Sequence, residues 1–139
     1  MSTEVTGLST EDALRAYAAT MNTLDATGFE PLLADDFHYA SQWVFAEIGS
    51  KHEYLDYITK KLEALKGSDF RIWAEMGHIE ESFAVLSHGW GAPCVAMAQG
   101  EKDNVISLVF AEVKSGTLQR MDMCLPELYR WQRTGDYAE

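Results

Sequence analysis

The chain has 139 residues, 47% of them hydrophobic, 24% charged and 12% aromatic, and a formal net charge of −11. That length suits one domain, residues 1–139, with a core of its own. The charge repels phosphate backbones and anionic bilayers, so neither nucleic acid nor membrane is an expected partner. No apolar run approaches the roughly 20 residues of a bilayer span, and the polar start MSTEVTGLSTED has no basic or apolar segment of a secretion signal.

Ser9, with Asp12 three residues on, approximates a capping box. Behind it Leu14, Tyr17, Ala18, Met21 and Leu24 recur at helical spacing, which predicts a long first helix stopping by Gly28. Residues 29–33 predict a short helix, with Pro31 where a first turn tolerates proline. Asp35 and Asp36 break the apolar run. From Phe37 the period becomes two: Phe37, Tyr39, Ser41, Trp43 and Phe45 point one way, His38, Ala40, Gln42, Val44 and Ala46 the other. This is a strand, or a hairpin bent near Ser41 and Gln42. Ser50 and Glu53 form a second capping box, so a second long helix starts at about Lys51. Tyr54, Leu55, Ile58, Leu62 and Leu65 make its buried stripe and Gly67 its stop.

The remainder is strand-rich. Runs at 70–80, 82–90, 94–99, 105–113 and 118–125 alternate as strands, and the last two join through Lys114, Ser115 and Gly116 as a hairpin. Glycines and a proline at 89–93 mark a corner or bulge. Leu128, Tyr129 and Trp131 in the tail call for burial. The order is α+β, with helices packed on one face of a sheet.

Tyr17, Asn22 and Asp25 in AYAATMNTLD, followed by LADDF at 33–37, resemble the nuclear-transport-factor-2-like (NTF2-like) superfamily, which includes ketosteroid isomerase and SnoaL-like polyketide cyclases. The element order resembles it along the whole chain. The resemblance implies a cone-shaped fold: a curved antiparallel sheet of about six strands packed on two long helices and one short helix, with a cavity between sheet and helices. It places Tyr17, Met21, Tyr54 and Ile58 on the helix side of that cavity and Tyr39, Ser41 and Trp43 on the first strand. Ile106, Leu108, Phe110, Met121 and Met123 then form the far wall. It also implies a homodimer through the outer sheet face, where Val105, Val109, Ala111 and Val113 are expected, with Tyr129 and Trp131 closing the cavity mouth or crossing to a partner subunit.

The isomerase-like members use a helix tyrosine as a hydrogen-bond donor, matched by Tyr17, and a strand aspartate as base, matched by Ser41. A second acid maps to about Leu108. Enolisation needs a base and donors for the resulting charge, so with both acids replaced ketosteroid-type isomerisation is disfavoured. The remaining candidate catalytic groups are Tyr17, His88 and Asp122. His88 stands beside the 89–93 corner, which leaves its direction open. Asp122 alternates with Met121 and Met123, so it enters the cavity only where a bulge reverses the register, and otherwise pairs with Arg120 on the outer face. Asp35 and Asp36 read as a structural corner. The histidines and Cys94 and Cys124 lack metal-ligand spacing, no disulfide framework is indicated, and a reduced, cytoplasmic setting without metal or cofactor is expected. The expected function is binding of a small hydrophobic or aromatic molecule in an internal cavity. The alternatives are a cofactor-free SnoaL-like isomerase, cyclase or dehydratase working by acid–base chemistry, and a non-catalytic dimeric adaptor.

Overall fold

The computed structural model describes residues 8–41, 47–82 and 92–139. Ser9 caps α1 (Thr10–Thr23): its hydroxyl accepts from the Asp12 amide at 3.0 Å, and the Asp12 carboxylate closes the box. The helix ends earlier than Gly28, because Leu24 adopts a left-handed conformation (φ 60°) and its N–H returns to the Thr20 carbonyl. The short apolar segment after it is a three-residue 3-10 turn, Glu30–Leu32, not a helix of its own. Strand β1 (Leu33–Ser41) starts four residues before the alternation at Phe37 becomes regular, since Asp35 and Asp36 fall in an irregular stretch between Leu33 and His38. Ser50 caps α2 (Lys51–Lys66), its hydroxyl accepting from the Glu53 amide at 3.1 Å.

Four of the five expected runs appear as strands in the expected chain order, β2 (Ile72–Ser82), β3 (Pro93–Gln99), β4 (Val105–Lys114) and β5 (Thr117–Cys124), while the run expected at 82–90 lies, beyond its first residue, outside the described residues. The tail adds what its short, polar sequence does not announce. After a 3-10 turn at Pro126–Leu128, Tyr129–Arg133 forms an edge strand, β6, antiparallel to β2. The six-stranded sheet runs β1-β5-β4-β3-β2-β6. It is not antiparallel throughout: β1 pairs with β5 in parallel, as strands joined by a long crossover can. The fold is thus α+β, with a six-stranded sheet and two α-helices among the described residues. Among the described residues, no helix is long and apolar enough to cross a membrane.

Register divides the sheet into two faces. Tyr39 stands opposite Met121, Met121 opposite Ala111, and Val109 opposite both Met123 and Val95. These residues pack with Tyr17, Met21, Tyr54 and Ile58 into the core beneath the helices. The other face carries Ile79, Cys94, Ala96, Leu108, Phe110 and Cys124, against which Leu128, Tyr129 and Trp131 pack. The Phe110 and Tyr129 rings lie 4.9 Å apart.

This corrects β4. Leu108 and Phe110, expected on the cavity wall, lie on the outer face, while Val109, Ala111 and Val113, expected outside, pack on the helix side. A strand buried on both faces has no polar side to fix its direction, and a one-residue offset swaps every side chain. The offset arises at a register shift next to Val105, where Met97 pairs with Ser107 but Ala98 pairs with Val105. The outer-face residues that replace them, Leu108 and Phe110, are already covered within the chain.

Asn22 ties α1 to the sheet. Its side-chain oxygen accepts from the Ala74 amide at 2.8 Å, and its Nδ2 donates to the carbonyls of Ala74 (2.9 Å) and Ala138 (2.7 Å). The free edge of β2 beyond β6 is thereby closed by a side chain and the terminal segment, with the Met76 amide bonding to the Asp136 carbonyl at 2.8 Å.

Candidate functional site

A stripe on α2 defines one wall of the site. Tyr57, Lys61 and Leu65 recur every four residues, so they line one side of the helix with about 6 Å of rise between neighbours. They face the end of the sheet where β1 finishes and β4 begins. There Tyr39, Ser41, Ile72, Met97, Ile106, Ser107 and Met123, together with Gln99 and Phe70, complete a cavity of about 470 Å³. That size lies within the usual range for small-molecule sites. Its opening carries Phe70, a large apolar side chain left 62% exposed.

The walls are mostly apolar, and the polar groups among these lining residues are hydroxyls, an amide and one ammonium; none is a carboxylate or an imidazole. Ser107 is the most pointed of them. It is 1% exposed, faces the helix side through its pairing with Met97, and its hydroxyl has no hydrogen-bond partner among the described residues. Buried hydroxyls are normally satisfied. Across the cavity the Tyr39 hydroxyl lies 3.6 Å from the Met123 sulfur. Burial pushes the Tyr39 phenol well above its ordinary pKa, with the neighbouring Tyr17 and Tyr57 adding to the effect. Tyr39 is therefore a neutral donor near pH 7, not a base.

The expected pocket residues are scattered by the fold. Tyr39 and Ser41 line the cavity. Tyr17, Tyr54, Ile58 and Met121 are buried behind it in the main core. Tyr54 there sits 4.9 Å from the Phe37 ring and 5.4 Å from Tyr39, and Tyr17 packs 5.7 Å from Phe29. Burial raises the pKa of both Tyr17 and Tyr54. Met21 lines a smaller recess of about 160 Å³ that shares Leu65, Phe70 and Ile72 with the cavity. Leu108 and Phe110 are on the other side of the sheet. Trp43 and His88 lie outside the described residues.

Asp122 is also on the outer face. The β4–β5 register is continuous from Leu108 to Glu112, so no bulge turns Asp122 inward: it stands opposite Phe110, between the buried Met121 and Met123. Arg120 Nε reaches both of its carboxylate oxygens, at 3.1 and 3.2 Å. The same guanidinium contacts Glu47 at 3.2 Å, and Glu47 holds His38 at 2.9 Å. Asp36 accepts from the Gln119 side chain at 2.9 Å, a contact that lowers its pKa and suits a structural corner. Both cysteines are buried, and burial pushes the Cys94 thiol up to about 12, far from a nucleophile's range. Among the described residues no group of three His, Cys, Asp or Glu side chains is placed to hold a metal ion.

The sequence reading missed Lys61, Gln99 and Ser107. Lys61 reads as a solvated helix position until the sheet is seen opposite it. Ser107 is hidden by the inverted parity of β4, which sets it with Val109 on the outer face when read from the sequence.

No protein-family model and no curated protein matches the chain. Solved structures do. A candidate ketosteroid isomerase from Kribbella flavida superposes with a TM-score of 0.55 at 22% identity, over 87% of this chain and 80% of that one. An LEH-like epoxide hydrolase from M. tuberculosis gives 0.54 at 16% identity, over 85% of each chain. An NTF2-like protein of unknown function from Cytophaga hutchinsonii gives 0.52 at 13% identity, over 90% of this chain and 94% of that one. At such identities the likeness is one of fold, and the chain has the NTF2-like fold.

Proposed function

We propose that the chain binds a small, largely apolar molecule in the cavity between α2 and the open end of the sheet. The observation that carries this reading is a mostly apolar space of about 470 Å³ whose lining includes Ser107, a buried residue with an unpartnered hydroxyl. An apolar chamber with a few placed polar groups is the usual construction of a ligand site. A ligand acceptor atom against Ser107 would satisfy a group that otherwise costs about 1–3 kcal/mol to bury alone. The fold's relatives in the comparisons include a candidate isomerase and an epoxide hydrolase, which supports a small-molecule role. Binding is preferred to acid–base catalysis because the described lining residues include no carboxylate or imidazole to act as a base.

The test is a fluorescence titration with 2-(1-naphthyl)ethanol, a neutral aromatic probe. The wild-type chain is expected to bind it saturably. Ser107→Phe, which puts a ring into the chamber, is expected to weaken binding at least about tenfold while leaving the circular dichroism spectrum unchanged. Unaltered affinity in a folded S107F chain would place the bound probe elsewhere and defeat the proposal.

A further inference from the structure

We infer that the ligand of this chamber is an acid: an apolar body carrying a carboxylate or a similar anionic head, received by Lys61. The inference rests on the binding role proposed above and adds the ligand's charge. The chain has 22 acidic residues against 11 lysines and arginines, yet none of the described residues lining the chamber is acidic. Its side-chain groups able to donate are the hydroxyls of Tyr39, Ser41, Tyr57 and Ser107, the Gln99 amide and the Lys61 ammonium. The hydroxyls and the amide accept as well as donate, whereas the ammonium only donates, so the one charged group of the lining favours an anionic, acceptor-bearing ligand.

Lys61 stands between Tyr57 and Leu65 on the α2 stripe that lines the chamber, and it is half-buried. Its ammonium lies 5.9 Å from the Tyr57 ring centroid, a weak cation–π contact, and it has no carboxylate partner among the described residues. The adjacent Lys60 shows the contrast: it is 75% exposed and pairs with Asp56 at 3.1 Å. In the open chamber, water hydrates Lys61. A ligand that fills the space strips that water. A neutral ligand then leaves a cation desolvated without compensation, whereas an anionic head restores the lost solvation by a charge-assisted hydrogen bond. The chamber therefore discriminates by charge as well as by shape.

The experiment compares two probes with the same carbon skeleton, 2-(1-naphthyl)acetic acid and 2-(1-naphthyl)ethanol, at pH 7 by isothermal titration calorimetry. The wild-type chain is expected to bind the acid about tenfold or more tighter than the alcohol, and the ratio is expected to shrink as salt is raised. Lys61→Met keeps the apolar stem and removes the charge, so the acid-to-alcohol ratio should fall to near one. Lys61→Arg should retain the preference, and Lys61→Gln serves as a second neutral variant should the methionine chain fold poorly. No preference for the acid in the wild type, or a preference that survives both neutral variants, would overturn the inference while alcohol binding still upheld the chamber as a site. Binding of neither probe would overturn the chamber reading and this inference together.

Discussion

Tyr54→Ala is expected to cost about 3–5 kcal/mol of folding stability, the range for deleting a large buried ring. Tyr54 is 1% exposed and touches four other rings, with centroids at 6.3 Å (Phe29), 4.9 Å (Phe37), 5.4 Å (Tyr39) and 6.0 Å (Tyr57). It joins α2 to β1 and to the turn after α1. Removing it takes away apolar burial and also the edge-to-face contacts that each add about 0.5–1.5 kcal/mol. Domains of this kind hold about 5–15 kcal/mol in all, so the variant should sit near the edge of folding. Tyr54→Phe keeps the ring and should cost less than about 1.5 kcal/mol. Urea denaturation of the two variants measures both numbers; equal, small losses would show that the aromatic cluster is not a keystone of the core.

Asn22→Ala is expected to be the second most damaging change, at about 2–4 kcal/mol. The loss is not one of packing. It leaves the amide and carbonyl of Ala74 and the carbonyl of Ala138 without their partners. Ala74 is fully buried, so water does not readily replace the amide, and each orphaned group costs about 1–3 kcal/mol. Asn22→Asp is the sharper test. It keeps the size and the acceptor for the Ala74 N–H but sets a second acceptor against two carbonyl oxygens, so it should destabilise at least as much as alanine. An aspartate variant as stable as wild type in thermal unfolding at pH 7 would show that the bridge between α1, β2 and the terminal segment matters little.

These two residues also mark what the sequence could and could not tell. Tyr54 is readable as core because it sits in a helical stripe opened by a capping serine, and the same logic placed α1, α2 and the inward face of β1 at Phe37, Tyr39 and Ser41. Asn22 is visible only as part of a motif. Its work is long-range, across 52 residues to Ala74 and 116 to Ala138, and no local pattern announces that. Strand β4 failed for a different reason: Ser107, Leu108, Val109 and Phe110 are all buried, so alternation gives a period without a direction. Strand β6 is five residues long and two of its side chains are arginine, too short and too polar to stand out. The site suffered from both effects. Its cation lies on a helix position that looks solvated, and its buried hydroxyl lies on the strand whose parity could not be read.

The central claim is that the space beneath Tyr57, Lys61 and Leu65 receives a small molecule. Methionine methyl groups report on it directly, since the sequence has six methionines and two of them, Met97 and Met123, line the chamber. With ¹³C-labelled methionine, the methyl NMR signals of Met97 and Met123 should shift as 2-(1-naphthyl)ethanol is titrated in, because an aromatic ring stacked beside them changes their local field. Met76 packs in the main core but does not line the chamber, and its signal should hold still. Movement of Met97 and Met123 with a common saturation curve is the predicted result. Stationary Met97 and Met123 signals at saturating probe, or shifts confined to Met76, would contradict it.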